Sequence, residues 1–270
     1  MSISRQEFLN FKSFLRLRSG IALSDSKQYL VSNRLKPLVE DAGLECLSSL
    51  LSIIQAKPDG DLAIKAVDAM TTNETFWFRD VSHFNYIESI LFSELGGLNA
   101  PLRVWSAACS SGQEPYSISL SFEKYVEACG RDQALKIIAT DLSGDVLNRA
   151  KDGVYTDLEL SRGLPNTLKL EHFNRVHKGW QISSRHRLRV SFSQVNLLKD
   201  FSTLGQFDII FCRNVLLYFS AETKINILIK MIQVMKSGAY LFLSSSEVLP
   251  REVQGLQVVR VAGCKCYRKV

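Results

Sequence analysis

One stretch of this chain, from Arg103 to Tyr116, restricts the possible folds more than any other. The apolar run Val104–Ala108 predicts a short buried strand, and the small residues of Cys109–Gly112 predict a tight turn. Pro115 then belongs to the first turn of a helix, which we expect to reach about residue 129. This order of elements opens the cofactor crevice of a doubly wound α/β sheet. Because the turn holds only one glycine, an ordinary strand-to-helix turn explains it equally well.

Two later strands also end at polar residues. The apolar segment Lys136–Asp141 ends in a carboxylate, which can accept hydrogen bonds from ribose hydroxyls, cap the helix that follows, or do both. The strongly apolar strand Phe207–Cys212 is followed directly by Arg213 and Asn214. Because buried charges are costly unless they are paired, a functional role for Arg213 is the better explanation. We therefore predict a ligand crevice at the carboxyl ends of these strands.

Composition narrows the class of protein. The chain has 270 residues, 46% of them hydrophobic, which suffices for a large core and a smaller domain. No apolar run of about eighteen residues is present, so we expect a soluble, cytoplasmic protein without membrane insertion. The six cysteines form no Cys-x-x-Cys pair, so we expect no metal site. The net charge of +6 suggests an acidic partner without deciding between nucleic acid, membrane and protein.

The first 70 residues predict a separate domain of about four helices, because their apolar residues recur at helical spacing. The second of these helices carries Lys27, Arg34 and Lys36 among its apolar positions. Such charges form either a solvated face, which is the commoner case, or a docking face for an acidic helix. The sequence leaves both interpretations open.

The segment Thr71–Asp80 has neither helical nor strand periodicity. Its polar residues Asn73, Thr75 and Arg79 stand beside the three aromatic residues of Phe76–Phe78, a combination that a purely structural loop rarely needs. Because ligand contacts concentrate on loops of rigid scaffolds, we expect this loop to bind a ligand. A helix over about residues 82–95 follows it.

The most basic part of the chain is Arg162–Arg189. Within it, Val176–Ile182 and Leu188–Phe192 predict a short hairpin that turns at Ser183 and Ser184. The charges either guard a sheet edge or form a surface for a partner. Towards the end of the chain we expect a helix over residues 222–235, a strand over 239–243, and a hairpin of 256–261 with 265–269.

The class of cofactor follows by elimination. The chain has no Gly-x-x-x-x-Gly-Lys-Ser/Thr loop for ATP or GTP, and its glycines are too few for a dinucleotide fingerprint. A nucleoside cofactor without phosphates needs no such cradle, and S-adenosylmethionine is the common cofactor of that kind. We therefore expect S-adenosylmethionine in the crevice.

Five ordered motifs resemble those of the CheR-type chemotaxis receptor (methyl-accepting chemotaxis protein) glutamate O-methyltransferases, nearly from end to end. The motifs are Thr71–Asp80, Arg103–Ala108 with Gly112–Ser117, Ala139–Asp141, Val195–Leu198 and Phe211–Phe219. The resemblance implies an α/β fold of the class I S-adenosylmethionine-dependent methyltransferases, which is Rossmann-like with a seven-stranded mixed sheet. It also implies an all-helical N-terminal domain for receptor docking in residues 1–70. The methyltransferase domain would span 71–270, with a small antiparallel β subdomain insertion at about 174–192.

The same resemblance implies transfer of the S-adenosylmethionine methyl group to glutamate side chains of chemoreceptors, with S-adenosylhomocysteine as the product. The partners would be cytoplasmic signalling domains of chemoreceptors in receptor arrays, without nucleic acid, and we expect a monomer. Arg34 and Lys36 would face the acidic receptor helices. Arg79 and Tyr218 would lie near the reacting carboxylate and methyl group. The residues that would line the cofactor are Asn73, Thr75, Arg79, Glu114, Asp141, Asn196, Leu197, Arg213 and Asn214.

The implied chemistry agrees with the absence of a catalytic triad signature. A glutamate with a pKa near 4.3 is ionised at neutral pH, so its attack on a sulfonium methyl needs no general base. An arginine suits the task of aiming it, since a planar guanidinium matches a carboxylate. Two positions depart from the family pattern: Gln113 stands where a second acid is usual, and Ser244–Glu247 replaces Gly-His-Ser-Glu.

Two other functions remain open on the sequence. A nucleic-acid base methyltransferase would suit the basic patch, but the chain has no Pro-Pro element of the kind that holds a flipped base. A regulator that binds the cofactor and docks on receptors without methylating them is disfavoured only by the presence of Arg79 and Tyr218.

Overall fold

The computed structural model describes residues 3–96, 100–130 and 133–270. The chain folds into two compact units. The first comprises the chain up to Thr72 together with Tyr218–Lys224, and the second comprises Asn73–Leu217 with Ile225–Val270.

The first unit is helical, which confirms the predicted character of the N-terminal domain. Its helices are α1 (Arg5–Ser19), α2 (Gln28–Asp41), α3 (Leu47–Ala56) and α4 (Asp61–Met70). Helix α1 begins with a reciprocal cap: the Glu7 N–H donates to Ser4 Oγ at 3.2 Å, and the Ser4 N–H donates to Glu7 Oε2 at 2.8 Å. It ends at Gly20, whose φ of 77° lies in the left-handed region. Each helix buries one apolar face, and these faces form the core of the unit.

The second unit contains two sheets. The strands are β1 (Leu102–Ala107), β2 (Leu135–Asp141), β3 (Val154–Tyr155), β4 (Phe173–Val176), β5 (Gly179–Ile182), β6 (Val190–Gln194), β7 (Phe207–Cys212), β8 (Met235–Phe242), β9 (Leu256–Val261) and β10 (Cys264–Lys269). The main sheet has the order β6-β2-β1-β7-β8-β10-β9, with the first five strands parallel and the last two antiparallel. The predicted seven-stranded mixed sheet is therefore confirmed, and so is the hairpin at its edge.

Short and long helices connect these strands. They are α5 (Val81–Tyr86), which continues through a π-helical turn (Ile87–Leu91) into α6 (Phe92–Leu95), then α7 (Gln113–Cys129), α8 (Gly144–Asp152), α9 (Asp157–Ser161), α10 (Asn166–His172), α11 (Ser184–Leu188) and α12 (Ala221–Gln233). The parallel strands and their crossover helices form the doubly wound arrangement that the β1 turn predicts.

The small antiparallel sheet has the order β3-β5-β4, and its strand pairing corrects one prediction. The hairpin joins β4 to β5, with Val176 opposite Gly179, whereas β6 leaves this sheet and pairs in parallel with β2. Ser183 and Ser184 do not form a hairpin turn, because Ser184 begins helix α11. Serine favours both turns and helix starts, and the sequence pattern does not separate these two uses.

Strand β8 begins earlier than predicted. We expected a helix up to residue 235 and a break at residues 236–238, but Met235 already pairs with Phe207 in the sheet. The pairing register shifts between Phe207 and Ile209, and Gly238 adopts a φ of 74° in this stretch. A glycine inside a strand is typical of such an irregularity, which interrupts the alternating pattern without ending the strand.

The carboxyl ends of the parallel strands meet at one edge of the main sheet, and the core lies directly beneath. Phe211 in β7 and Phe242 in β8 stack with their ring centroids 4.6 Å apart, and Phe84 of α5 packs on Phe211 at 6.0 Å. These packed rings form a rigid core beneath the loops at this edge of the sheet.

Candidate active site

The turn after β1 has a strained backbone that its small residues make possible. Ala108, Ser110 and Gly112 all have positive φ, at 64°, 50° and 94°. A Cβ atom on Gly112 would come within 3.0 Å of both Ala150 Cβ and Tyr155 Oη, so only glycine fits there. The single glycine of the motif is thus required by close packing against α8 and β3.

Asp141 at the end of β2 fastens this turn. One of its carboxylate oxygens accepts the Ser110 N–H at 2.8 Å, and the other accepts the Ser143 N–H at 3.0 Å. Burial raises the pKa of Asp141, and the N–H donors of Ser143, Ser110 and Leu142 oppose that rise. The N-cap residue of α8 is Ser143 rather than Asp141. The two carboxylate oxygens offer about four lone-pair sites to these three N–H donors, which leaves capacity for a hydroxyl donor such as those of ribose.

Asn196 and Leu197 follow β6 beside Asp141. The Val195 N–H donates to the Asp141 carbonyl at 2.9 Å, which holds the start of this loop at the end of β2. Asn196 Oδ1 accepts the Leu198 N–H at 3.0 Å, and Leu197 is buried. This loop therefore brings one amide side chain and one apolar side chain to the edge where Asp141 lies.

Arg213 forms a buried ionic cluster with two carboxylates. Its guanidinium donates to Glu114 Oε2 at 2.8 Å and to Asp80 Oδ2 at 2.8 Å, and it also donates to the Arg79 carbonyl. Glu114 further accepts the Ser106 hydroxyl at 2.7 Å. Only 1% of the Arg213 side chain is exposed. These contacts meet the requirement for a buried charge, which is to be paired and hydrogen bonded.

The two carboxylates of this cluster respond differently to burial. Burial raises the pKa of Glu114 more than the charge of Arg213 lowers it. Burial also pushes the pKa of Asp80 upward, but the hydrogen bond and the charge of Arg213 outweigh it, so the pKa of Asp80 is lowered. Asp80 ends the Thr71–Asp80 motif but was not among the predicted site residues, and it is the carboxylate of the two whose ionised form Arg213 favours more.

The loop from Asn73 to Asp80 lies over this cluster and is fixed by its backbone. The Ser110 hydroxyl donates to the Asn73 carbonyl at 2.8 Å, the Phe78 N–H donates to Ser117 Oγ at 3.1 Å, and the Trp77 N–H donates to the Arg162 carbonyl at 3.1 Å. These bonds hold the loop to the β1 turn, to α7 and to the segment after α9.

The side chains of this loop differ in accessibility. Asn73 is exposed, whereas Thr75 and Arg79 are half-buried. The Arg79 guanidinium lies 5.2 Å from the Phe76 ring centroid and donates to the Glu74 carbonyl at 3.2 Å. Among residues 3–96, 100–130 and 133–270, no carboxylate forms an ion pair with Arg79. Arg79 is therefore not paired with a carboxylate, in contrast to Arg213.

Glu247 is a second residue that sequence reasoning missed. Its Oε2 accepts the N–H of Asn214 at 2.8 Å and the Ser244 hydroxyl at 2.7 Å, while its Oε1 faces the Leu217 N–H at 3.3 Å. Asn214 has a φ of 59°, so this loop after β7 is strained and Glu247 holds it in place. The only signal available was the position of Glu247 in a motif that departs from the family pattern.

Tyr218 belongs to the first unit. It ends a 3₁₀ turn (Leu216–Tyr218), its side chain is half-buried, and its carbonyl accepts the Ala22 N–H at 2.9 Å. Its expected position near the reacting methyl group remains a prediction.

The donor set at this edge suits S-adenosylmethionine. Hydrogen bonds connect the segments that carry Asn73, Glu114, Asp141, Asn196 and Arg213, and these segments offer carboxylates, amides and backbone groups. Such groups match ribose hydroxyls, an adenine ring and an amino-acid moiety, none of which needs a phosphate cradle. In the part of the chain that the structure describes, no cluster of three His, Cys, Asp or Glu residues could hold a metal ion.

No helix among the described residues is long and apolar enough to cross a membrane.

Comparisons with known proteins agree with this geometry. Residues 73–263 match the family described as "CheR methyltransferase, SAM binding domain", and residues 6–71 match "CheR methyltransferase, all-alpha domain". "Chemotaxis protein methyltransferase Cher2" of Pseudomonas putida is 45% identical over 254 residues, which cover 92% of each chain. "Chemotaxis protein methyltransferase 1" of Pseudomonas aeruginosa is 43% identical over 99% of each chain. "Chemotaxis protein methyltransferase" of Salmonella typhimurium is 35% identical over 92% of this chain and 85% of the relative.

These matches span both units and contain the loops that carry Arg79, Asp141 and Arg213. The chain therefore belongs to the CheR methyltransferase family, and it is an S-adenosylmethionine-dependent methyltransferase of chemotaxis.

Proposed function

We propose that this protein is a protein-glutamate O-methyltransferase that forms glutamate methyl esters on the cytoplasmic signalling domains of chemoreceptors during adaptation. The observation that carries the proposal is the contrast between two neighbouring arginines. Arg213 is paired with Glu114 and Asp80, whereas Arg79 pairs with no carboxylate of the described chain. An unsaturated guanidinium at the carboxyl edge of the sheet favours a carboxylate substrate over a neutral amine or a base.

The reaction needs positioning rather than proton transfer. S-adenosylmethionine supplies an electrophilic methyl group on a sulfonium. The glutamate substrate is ionised at neutral pH, so one carboxylate oxygen forms the new C–O bond as the C–S bond breaks, and S-adenosylhomocysteine leaves. Alignment of the reacting groups contributes roughly 7 to 11 kcal/mol in favourable cases, and it is the task of the protein here.

Each predicted site residue has a role in this proposal. Asp141 would accept hydrogen bonds from ribose hydroxyls, and Asn196 with Leu197 would contact the adenine ring. Glu114 and Arg213 would bind the amino-acid end of the cofactor together with Asn73, Thr75 and Asn214. Arg79 would orient the substrate carboxylate, and Tyr218 would border the methyl group. The support is the hydrogen-bonded continuity of these segments at one sheet edge.

The docking of the receptor is part of the same proposal. Lys27 and Lys36 of the α2 region are exposed, and Lys36 lies 3.8 Å from Glu40 in a loose pair. The Arg34 guanidinium instead donates to the carbonyls of Met70 and Thr71 at 2.7 Å. We infer that the two lysines provide most of the charge for an acidic receptor helix, and that Arg34 holds the end of α4. The enzyme would act in the cytoplasm, at receptor arrays.

The test uses purified protein, S-adenosylmethionine labelled on the methyl group, and soluble signalling fragments of candidate receptors. We expect label in the fragment that mild base releases as methanol, which distinguishes a carboxyl ester from N-methylation. Substituting Arg79→Ala should lower kcat/KM about 100-fold, because misplacement of the substrate by about 1 Å has that effect.

Arg162→Ala is the matched control for Arg79→Ala. The Arg162 guanidinium also lies over the Phe76 ring, at 5.5 Å, but it pairs with Glu74 at 2.9 Å. We expect the Arg162 variant to keep wild-type turnover. Equal losses in the two variants would contradict the role given to Arg79.

A further inference from the structure

A separate pocket opens at the same edge of the main sheet, beyond β7. It has a volume of about 340 Å³, and its walls come from residues 80–83, from Leu243–Glu247 after β8, and from residues 263–267 at the start of β10. Strand β8 is parallel to β7, so its carboxyl end lies at the cofactor edge, and β10 begins there because it is antiparallel to β8. Apart from those of the Asn73–Asp80 loop, the predicted cofactor residues follow β1, β2, β6 and β7, whereas the pocket lies at the ends of β8 and β10, the next strands in the sheet.

The walls of this pocket are tied to the candidate active site. One oxygen of Asp80 accepts from Arg213 at 2.8 Å, and the other accepts the Ser245 hydroxyl at 3.3 Å. Glu247, on another wall, holds the Asn214 N–H at 2.8 Å. A group bound in the pocket would therefore lie next to the backbone that carries Arg79 and Asn214.

The pocket has apolar walls. Val81 lines it and is 59% exposed. The walls also include the buried Leu243 and Tyr267. The pocket therefore offers apolar surface to an apolar side chain of another molecule.

The pocket also carries a charge without a counterion. Lys265 is half-buried, and its Nζ lies 5.5 Å from the Tyr267 ring centroid. Within residues 3–96, 100–130 and 133–270, no carboxylate forms an ion pair with Lys265. The two wall carboxylates are already occupied, Asp80 by Arg213 and Glu247 by N–H and hydroxyl donors. The Lys265 ammonium is therefore available to a carboxylate from outside.

His83 adds no charge to this wall at neutral pH. Its side chain is 3% exposed, and burial, followed by the charge of Arg213, lowers its pKa to about 4. The pocket thus combines apolar walls, hydroxyl groups of Ser244 and Ser245, and one unpaired cation.

We propose that this pocket is a second subsite for the substrate protein, a subsite that receives an apolar side chain of an acidic helix while Lys265 pairs with a carboxylate on that helix. This inference rests on the proposed function. Side chains three, four and seven residues apart share one face of a helix, so one helix can present a glutamate to Arg79 and an apolar side chain to the pocket. The segment of the substrate protein that suits this pocket is a helix with one apolar side chain flanked by acidic residues.

The test measures kcat and KM for the receptor signalling fragments with Lys265→Glu and with its control, Lys136→Glu. Lys136 is an exposed lysine near the amino end of β2, at the opposite edge of the sheet. We expect Lys265→Glu to raise KM for the fragment about tenfold, since reversing an interfacial charge weakens association. The affinity for S-adenosylhomocysteine, measured by calorimetry, should be the same in both variants. Val81→Asp, which places a charge on an exposed wall of the pocket, should also raise KM.

Fragment binding provides a readout that does not depend on methyl transfer. Calorimetry with protein loaded with S-adenosylhomocysteine gives Kd for each variant, and we expect the weakening in Lys265→Glu alone of the two lysine variants. The same KM and the same Kd for Lys265→Glu and Lys136→Glu would overturn the subsite. If the wild type binds the fragments without methylating them, the proposed function fails while the binding comparison still decides the subsite.

Discussion

Two ionic clusters in the second unit each have one central charge with two partners of opposite sign. The central residue is an arginine in one cluster and an aspartate in the other. At the sheet edge, Arg213 is held by Asp80 and Glu114, each at 2.8 Å. In the small antiparallel region, Asp157 is held by Lys169 at 2.8 Å and Arg175 at 3.0 Å. The clusters differ in burial, because 1% of the Arg213 side chain is exposed and 61% of the Asp157 side chain is.

The pKa values show what this difference does. The hydrogen bonds of Lys169 and Arg175 lower the pKa of Asp157 to about 2, because almost no burial opposes them. Burial instead raises the pKa of Glu114, although Arg213 lies equally close. Distance alone is therefore a poor guide to an ion pair. Access of water decides how much an ion pair contributes. A buried pair fixes the positions of the residues around it, whereas an exposed pair is screened by water and can be removed with little effect.

Surface and buried clusters also differ in what lies around them. Lys169 Nζ lies 4.2 Å and the Arg175 guanidinium 5.3 Å from the Trp180 ring centroid, and the Trp180 indole N–H donates to Asp157. This cluster stabilises a local surface. The Arg213 cluster holds the Arg79 carbonyl and lies beneath the loop of the candidate active site, so its integrity affects function directly.

The largest expected effect comes from Arg213→Met, which leaves Asp80 and Glu114 without their partner. Removing one member of a buried ion pair lowers the free energy of unfolding by about 3 to 5 kcal/mol. Urea unfolding of the wild type and the variant measures this difference. Arg175→Met, in the exposed cluster, is the control and should unfold at nearly the wild-type urea concentration. Similar losses in both variants would remove the distinction between the clusters.

A smaller effect is expected from acid on a buried histidine pair. His186 Nε2 lies 3.2 Å from His172 Nδ1, and His186 Nδ1 lies 2.9 Å from Ser119 Oγ. Burial, and then the charge of His172, lowers the pKa of His186 to about 3, and burial also lowers the pKa of His172. The unfolded chain binds these protons near pH 6.5, so folding stability declines as pH falls below 6.5 towards the folded pKa.

For His186 alone, the expected loss at pH 5.5 is about 1.3 kcal/mol relative to pH 7. The free energy of unfolding, measured at both pH values, should therefore change less in His186→Gln than in the wild type. The charged groups that act on this pair are Arg185, Arg189, Glu123, Glu127 and Glu171. If the free energy of unfolding had the same pH dependence in the wild type and the variant, protonation of His186 would not destabilise the fold, and the prediction would be wrong.

The smallest effect is expected from Asp157→Asn. The ion pairs that lower the pKa of Asp157 stabilise the fold above about pH 3.8, and their contribution is lost as pH falls towards 2. Because the group is exposed, solvent screens these pairs and their contribution is small, so any fall in Tm of the variant between pH 5 and 8 should stay within experimental error. Differential scanning calorimetry measures it. A clear fall in Tm would mean that the surface cluster holds the small sheet together, in the way that Arg213 holds the sheet edge.

The sequence predicted those structural features that depend on neighbouring residues in the chain. The β1 turn, the end of β2 at Asp141 and the Arg213–Asn214 pair follow apolar strands directly, so the sequence alone indicates their positions. The hairpin prediction was wrong because Ser183 and Ser184 suit a turn and a helix start equally well. The break predicted before residue 239 was wrong because Gly238 marks an irregularity inside β8.

Side-chain contacts between residues that are far apart in the chain could not be predicted from local sequence patterns. Asp80 and Arg213 are 133 residues apart, and Glu247 holds Asn214 across 33 residues. Nothing in their local sequence states that these residues meet, because the sheet order brings them together. The sequence indicated that Arg213 needs a partner, and the fold identifies Asp80 and Glu114 as its partners.

The most direct test of the central claim is to identify the methylated residue itself. Receptor signalling fragments are incubated with the protein and S-adenosylmethionine, and peptides are then mapped by mass spectrometry before and after mild base. We predict one added methyl group on glutamate residues of the fragment, lost on base treatment and strongly reduced with Arg79→Ala. Methyl groups that resist base, or that lie on lysine, arginine or a nucleic-acid base, would contradict the account.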